Sequence, residues 1–243
     1  MKKDKIRLGV LASGGATTWS AVNSACKSGL IKAETVLFIA SKAGIGGIEK
    51  ARKAGLKEDD IVVIDPDTFS CPDLFGARII HECGKRGVDI IAQLGWLPKT
   101  PRNVIEKYKD RMWNQHPGPL DPGYPDFGGK GMFGRRVHHA RLAYCRLIGG
   151  DFWTEATAQR VDVEFDKGPV LYRRRIDIYP TDDPTTLQER LLPIEHEVQI
   201  DALLDLVNNI GTEKPRAERL VKKEHRFALE LAKSQACMMW PKG

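Results

Sequence analysis

Ile6-Arg7-Leu8-Gly9-Val10-Leu11-Ala12-Ser13-Gly14-Gly15-Ala16-Thr17-Thr18 is the stretch on which the fold turns. Its first seven residues are a short, mostly apolar run bounded by turn residues, the pattern of a strand buried on both faces. Ser13–Thr18 is a turn of small residues that opens a helix running through about Lys27. A helix beginning there offers unpaired backbone N–H groups and a favourable dipole to an anion, and the hydroxyls of Thr17 and Thr18 add donors. The loop matches neither G-x-G-x-x-G nor the Walker pattern, so a purely structural turn stays open.

Outward from this unit the same alternation repeats. Strands are expected at Glu34–Ala40, Ile61–Ile64, Val88–Gln93 and Arg111–His116, and helices at Gly46–Ala54, Pro72–Arg86 and Pro101–Lys107. Pro66 and Gly87 act as stops. Alternating strands and helices imply an α/β fold, an open, mostly parallel twisted sheet with helices on both faces and Val88–Gln93 near its centre. Residues 117–134 are dense in Gly and Pro and read as a long ordered loop. A helix over Arg135–Leu147 follows, then strands at Ala156–Val163 and Pro169–Ile178 around the turn Glu164–Gly168, and a long amphipathic helix over Pro184–Asn208. Residues 211–223 read as a linker and Glu224–Cys237 as a last helix packing on the same domain, a C-terminal helical extension.

The chain has 243 residues, 42% hydrophobic and 29% charged, which suits a folded globular protein rather than a disordered one. A formal net charge of +6 suits an anionic ligand, and the basic residues near the end (Lys214, Arg216, Arg219, Lys222, Lys223, Arg226) read as a solvated surface. They lack the interleaved aromatics of a nucleic-acid binder. The five cysteines are scattered without a C-x-x-C pair, so neither zinc nor a disulfide scaffold is expected. The basic start lacks a cleavage region, and no apolar run approaches the ~20 residues of a membrane span. A cytoplasmic protein without a membrane partner is the expectation.

Asn114-Gln115-His116-Pro117 closes a strand, and alternation points Asn114 and His116 to the same side. Carboxyl ends of strands are where open α/β sheets bind ligands. An amide donor beside an imidazole could hold a developing oxyanion, although a structural His at a strand end has the same signature. Asp166, in a tight turn, could orient His116 and favour its charged form if the fold brings them together. Gly129–Gly134 matches G-x-G-x-x-G literally but follows a Pro-rich loop rather than a strand, so it fails as a dinucleotide motif. Glu195-His196-Glu197 lacks H-E-x-x-H spacing, and the adjacent His138 and His139 face different directions on a helix. No metal is expected.

Together these motifs resemble the glycinamide ribonucleotide formyltransferases of purine synthesis over about Ile6 to Asn208. The family's Ser-Gly-x-Gly-[Ser/Thr]-Asn loop is similar to Ser13–Thr18, its Asn-x-His-Pro to Asn114–Pro117, and its Glu-Leu-Asp-x-Gly-Pro to Glu164–Pro169. Gly128–Gly134 with Val137-His138 is similar to one branch's Gly-Gly-Lys-Gly-Met-[Tyr/Phe]-Gly stretch, and Glu195-His196 to its Glu-His pair. The resemblance implies a Rossmann-like formyltransferase domain over residues 1–210, with 211–243 as linker and packed helix. It implies 10-formyltetrahydrofolate as co-substrate and the amine of a ribose phosphate as acceptor. Asn114, His116 and Asp166 would be catalytic. Trp96, Leu97, Pro98, Asp162, Val163, Glu164 and Phe165 would bind folate. Gly14, Gly15, Ala16, Thr17, Thr18 and Glu195 would bind the acceptor. A homodimer is the assembly this reading allows.

The departures fall mostly on the acceptor side. Ala16 stands where the family usually has Gly, Thr18 where it has Asn, and Leu192 where a polar residue is common. Gln159 replaces a His preceding the catalytic turn. Residues 143–155 exceed the usual connection, and 211–243 extend past the typical end. Two other readings stand beside the first. One is formylation of another amine, such as an amino sugar nucleotide or hydroxyornithine; the other is a non-catalytic folate- or nucleotide-binding regulator. A methionyl-tRNA formyltransferase fits less well, because the stretch after Gly211 is too short for an RNA-binding barrel.

Overall fold

The structure, a computed structural model, describes residues 5–208 and 212–241. Seven strands form one sheet in the order β3-β2-β1-β4-β5-β6-β7. They are β1 (Ile6–Ala12), β2 (Ala33–Ala40), β3 (Ile61–Val63), β4 (Ile90–Gln93), β5 (Met112–His116), β6 (Trp153–Arg160) and β7 (Val170–Asp177). The helices are α1 (Thr17–Lys27), α2 (Gly46–Lys53), α3 (Pro72–Lys85), α4 (Arg102–Lys107), α5 (Arg135–Ile148), α6 (Pro184–Val207) and α7 (Arg226–Met239). The expected α/β class and the central place of β4 are therefore realised.

The chain divides into two compact units. The first holds the described residues to Asn114 together with 203–208; the second holds Gln115–Ala202 with 212–241. In the first, β1 pairs in parallel with β2 and β4, β2 with β3, and β4 with β5. Leu8, Val10, Leu11, Leu37, Phe38, Ile39 and Ile91 have no exposed surface, as expected for parallel strands covered on both faces. Trp19 of α1 packs edge-on against Phe38, ring centroids 5.1 Å apart. Gly87, expected as the stop of α3, follows that helix with φ +56°, a conformation that favours glycine.

In the second unit β6 and β7 form an antiparallel hairpin, with Trp153 opposite Asp177 and Gln159 opposite Val170. This shifts the expected strand: β6 begins at Trp153 and ends at Arg160, so Asp162 and Val163 lie in the turn. Sequence patterning missed it because the strand buries polar side chains (Thr154, Glu155, Thr157, Gln159) among alanines. The long 143–155 connection is mostly regular structure, the end of α5 and the start of β6.

The expected domain boundary at 210/211 lies outside the described residues. From Thr212 onward the chain is tied to the second unit. Lys214 donates its N–H to the Val170 carbonyl at 2.7 Å, and Arg173 donates to the Lys214 carbonyl at 2.6 Å. Leu220, Val221, Leu229, Ala232 and Ala236 are buried in a cluster with Phe127, Val137, Ala140 and Tyr144. Burying each Leu or Val contributes about 2 kcal/mol. Arg216 corrects the expectation of a solvated basic run, since its side chain is 10% exposed, pairs with Glu155 and donates to the Leu120 carbonyl at 2.8 Å.

Candidate active site

In the first unit, the loop after β1 is held by backbone contacts. Ser13 donates its N–H to the Gly95 carbonyl at 2.9 Å and accepts from the Leu97 N–H at 3.0 Å, which ties it to the loop after β4. The Gly47 N–H donates to the Gly14 carbonyl at 3.0 Å, and a Cβ on Gly47 would meet that oxygen at 3.0 Å and the Ala16 Cβ at 2.9 Å. Ala16 caps α1 with φ 50° and ψ 40°, the left-handed region that explains why glycine is usual there. Thr17 and Thr18 are already in α1, and Thr18 is buried. The Lys50 ammonium lies 3.9 Å from where a Cβ on Gly15 would sit, a cation beside the loop that no sequence motif signalled. Trp96 is buried and stacked on Phe75 (centroids 6.3 Å apart, planes at 14°), whereas Leu97 is exposed. Asn114 is partly buried on β5, its Cα paired with Gln93.

The second unit joins His116 to Asp166. Asp166 occupies the β6–β7 turn with φ 58°, a conformation Asp tolerates better than most residues and one often found at functional sites. Its Oδ2 lies 3.6 Å from the Nδ1 of His116, with the two side chains 9% and 3% exposed. That is an ion-pair separation, and such contacts commonly tighten when substrate binds. Gln159 donates through Nε2 to Asp166 Oδ1 at 2.7 Å, and the Gly129 N–H donates to Oδ2 at 2.9 Å. The residue that departs from the family pattern at 159 thus grips the carboxylate directly. A Cβ on Gly128 would lie 2.6 Å from the Asp166 Cβ, so this position cannot take a side chain without movement. The G-x-G-x-x-G look-alike is a loop folded onto Asp166. The Asp162 carboxylate accepts from the Glu164 N–H at 3.1 Å, shaping the turn that also carries Val163 and Phe165.

The His116 Nε2 is buried and without a protein partner. His138, on α5, is fully buried with both ring nitrogens unpartnered, and burial with the neighbouring His116 pushes its pKa down to about 3. It is therefore neutral at physiological pH and adds no competing charge. His139, one residue on, faces elsewhere and accepts from the Trp240 indole N–H at 3.3 Å. Glu195 is buried and accepts from the Gln115 amide; burial pushes it up to about 7, against the lowering effect of that hydrogen bond. Glu197 pairs with Arg174. Among the described residues no cluster of three His, Cys, Asp or Glu side chains is placed to hold a metal ion. No described helix is long and apolar enough to cross a membrane.

Residues 6–203 match the family described as formyl transferase. The chain belongs to that family. Its relatives include the chloroplastic phosphoribosylglycinamide formyltransferase of Arabidopsis thaliana, 29% identical over 199 residues, covering 81% of this chain and 64% of the relative. The phosphoribosylglycinamide formyltransferase of Escherichia coli K12 is 26% identical over 189 residues, covering 78% of this chain and 81% of the relative. This chain spans 64% and 59% of the length of the two plant relatives from Arabidopsis and Vigna unguiculata. Among solved structures, glycinamide ribonucleotide transformylase 1 from Symbiobacterium toebii superposes with a TM-score of 0.73 at 25% identity, covering 86% of this chain and 90% of that one. The corresponding protein from Geobacillus kaustophilus gives 0.70 at 28% identity, covering 84% and 99%. The family match ends at residue 203, so Arg216 and α7 lie outside it, while the residues they contact, Leu120, Asp126, Gly128 and Glu155, lie within it.

Proposed function

We propose that this formyltransferase-family protein moves a formyl group from 10-formyltetrahydrofolate to the amine of glycinamide ribonucleotide, in de novo purine biosynthesis. The observation that carries this reading is the His116–Asp166 pair, assembled within a chain that matches the formyl transferase family over residues 6–203. The names of its relatives support the choice of acceptor.

When bound, 10-formyltetrahydrofolate supplies the formyl group as co-substrate. The unpartnered Nε2 of His116 suits it to donate to the formyl oxygen as negative charge develops there, with Asn114 as second donor. Asp166 holds the imidazolium from the Nδ1 side and assists proton movement away from the attacking amine. Gln159 and the Gly129 N–H keep that carboxylate fixed. In the first unit, Gly14, Gly15, Ala16, Thr17 and Thr18 are assigned to the acceptor's phosphate, with the Lys50 ammonium adding charge, and Trp96, Leu97 and Pro98 to folate. In the second, Asp162–Phe165 are assigned to folate and Glu195 to a ribose hydroxyl. The same proposal includes a transferase domain over 1–210 with 211–243 as linker and packed helix, a cytoplasmic location and a homodimer.

The test is a spectrophotometric assay of folate deformylation with glycinamide ribonucleotide, an amino sugar nucleotide and hydroxyornithine as acceptors. Turnover with glycinamide ribonucleotide is expected, and His116→Ala should lower it by on the order of a hundred- to a thousandfold while leaving acceptor binding by calorimetry intact. Turnover only with another amine would reject the acceptor. Binding without turnover of any would make the protein a regulator.

A further inference from the structure

We infer that Lys233 of α7 is a positioning residue for the Asp166–His116 pair, acting through the single peptide group that joins Gly128 to Gly129. The inference rests on the reading that this pair carries the transfer. The Lys233 ammonium donates to the Gly128 carbonyl at 2.8 Å and to the Asp126 carbonyl at 3.2 Å. The N–H of Gly129 donates to Asp166 Oδ2 at 2.9 Å. The Gly128 carbonyl and the Gly129 N–H are the two ends of one planar trans peptide. A cation therefore grips the oxygen end while the catalytic carboxylate accepts from the hydrogen end. Each contact polarises the peptide in the sense that strengthens the other. The oxygen held this way, Oδ2, is the one facing His116 Nδ1.

The surroundings leave little slack. A Cβ on Gly128 would lie 2.6 Å from both the Asp166 Cβ and the Leu120 side chain, so the backbone rests directly on the catalytic turn. The Asp126 carboxylate accepts from the N–H groups of Gly128 at 3.1 Å and Asp121 at 3.0 Å, closing the loop on itself. The C-terminal segment holds the loop's other end as well. The Leu220 N–H donates to the Asp121 carboxylate at 3.0 Å and Arg216 to the Leu120 carbonyl at 2.8 Å. Lys233 stands one turn after the buried Leu229 and beside the buried Ala232, so the packing of α7 fixes where its amine can reach. Residues beyond the family match thus complete the geometry of a site within it.

The test compares Lys233→Met, which keeps the length and removes the charge, with Lys233→Arg, which keeps the charge. Steady-state kinetics should show kcat down by about tenfold in K233M with KM for both substrates within about twofold, and K233R within about threefold of the parent. Gly129 amide exchange, followed by NMR without any substrate, should be about tenfold faster in K233M and near the parent rate in K233R. Should K233M not fold, Lys233→Gln serves in its place with the same expectations. An unchanged kcat with unchanged exchange overturns the inference, as does equal loss in the charged and uncharged variants. If the parent turns over no acceptor, the transfer reading fails, and the amide exchange alone decides whether Lys233 holds the peptide against Asp166.

Discussion

Glu195→Gln should stabilise the protein at pH 8 and leave it unchanged near pH 4. Glu195 is 4% exposed, and its carboxyl is pushed from an ordinary 4.5 up to about 7 because burial penalises the charged form more than the Gln115 hydrogen bond favours it. The folded state therefore binds this proton more tightly than the unfolded state does. The stabilising contribution is fully present below pH 4.5 and is lost as pH rises through about 7. At about 1.4 kcal/mol per pH unit, the change is worth about 3 kcal/mol between acid and mildly alkaline solution. Glutamine keeps an acceptor oxygen for the Gln115 amide and carries no charge to desolvate. In a domain of this size about 3 kcal/mol corresponds to roughly 6–12 °C in Tm. Urea unfolding followed by tryptophan fluorescence at pH 4, 6 and 8, without ligands, would measure it. A difference between parent and variant that stays constant across this range would refute the reasoning, as would a variant less stable than the parent at pH 8. A raised acceptor KM in the same variant would accompany the stability gain if Glu195 contacts the ribose, a trade of stability for function.

Three further perturbations probe the same unit. Gln159→Leu removes the amide that donates to Asp166 at 2.7 Å. A hydrogen bond to a charged group is worth about 1.5–3 kcal/mol, so kcat should fall about ten- to a hundredfold with KM little changed in steady-state assays. Gly128→Ala places a Cβ 2.6 Å from that of Asp166 and should cost about 1–3 kcal/mol by calorimetry along with most of the activity. A stable, fully active alanine variant would contradict the packing described. His138 is held down to about 3 from 6.5, so its contribution to stability is present above pH 6.5 and lost as pH falls toward 3. His138→Leu should therefore resist acid better, by about 2 kcal/mol at pH 5, in unfolding curves compared between pH 7 and 5.

Much of the candidate site was legible because its residues sit at punctuation marks in the chain. Asn114 and His116 end a strand, Asp166 sits in an Asp-Lys-Gly turn, and Ser13–Thr18 separates an apolar run from a helix. Each position is fixed by local rules that composition reveals. The partners of those residues were not legible. Lys233 and Asp166 are far apart in sequence, and a lysine on an exposed-looking helix carries no mark of the carbonyls it will meet. Lys50 is hidden for the same reason. Gln159 stood out only as a departure from a familial histidine, with nothing to say that its amide would hold the Asp166 carboxylate. β6 was misplaced because its polar residues are buried, and hydrophobic periodicity cannot see a strand whose inward side chains are Thr, Glu and Gln. Arg216 failed as a surface charge because its partner, Glu155, comes from that same misread strand.

What the sequence alone determined was the alternation of elements, the mostly parallel class of the sheet and which polar residues are candidates for the site, since all three follow from short-range patterns of apolar, small and ionisable residues. Tertiary structure alone decided which nitrogen of His116 is left without a protein partner, how Asp166 is gripped and that Lys233 of the C-terminal helix reaches the Gly128 carbonyl. Those facts depend on distances between groups tens of residues apart, and burial and electrostatics act on distance in space rather than on separation along the chain.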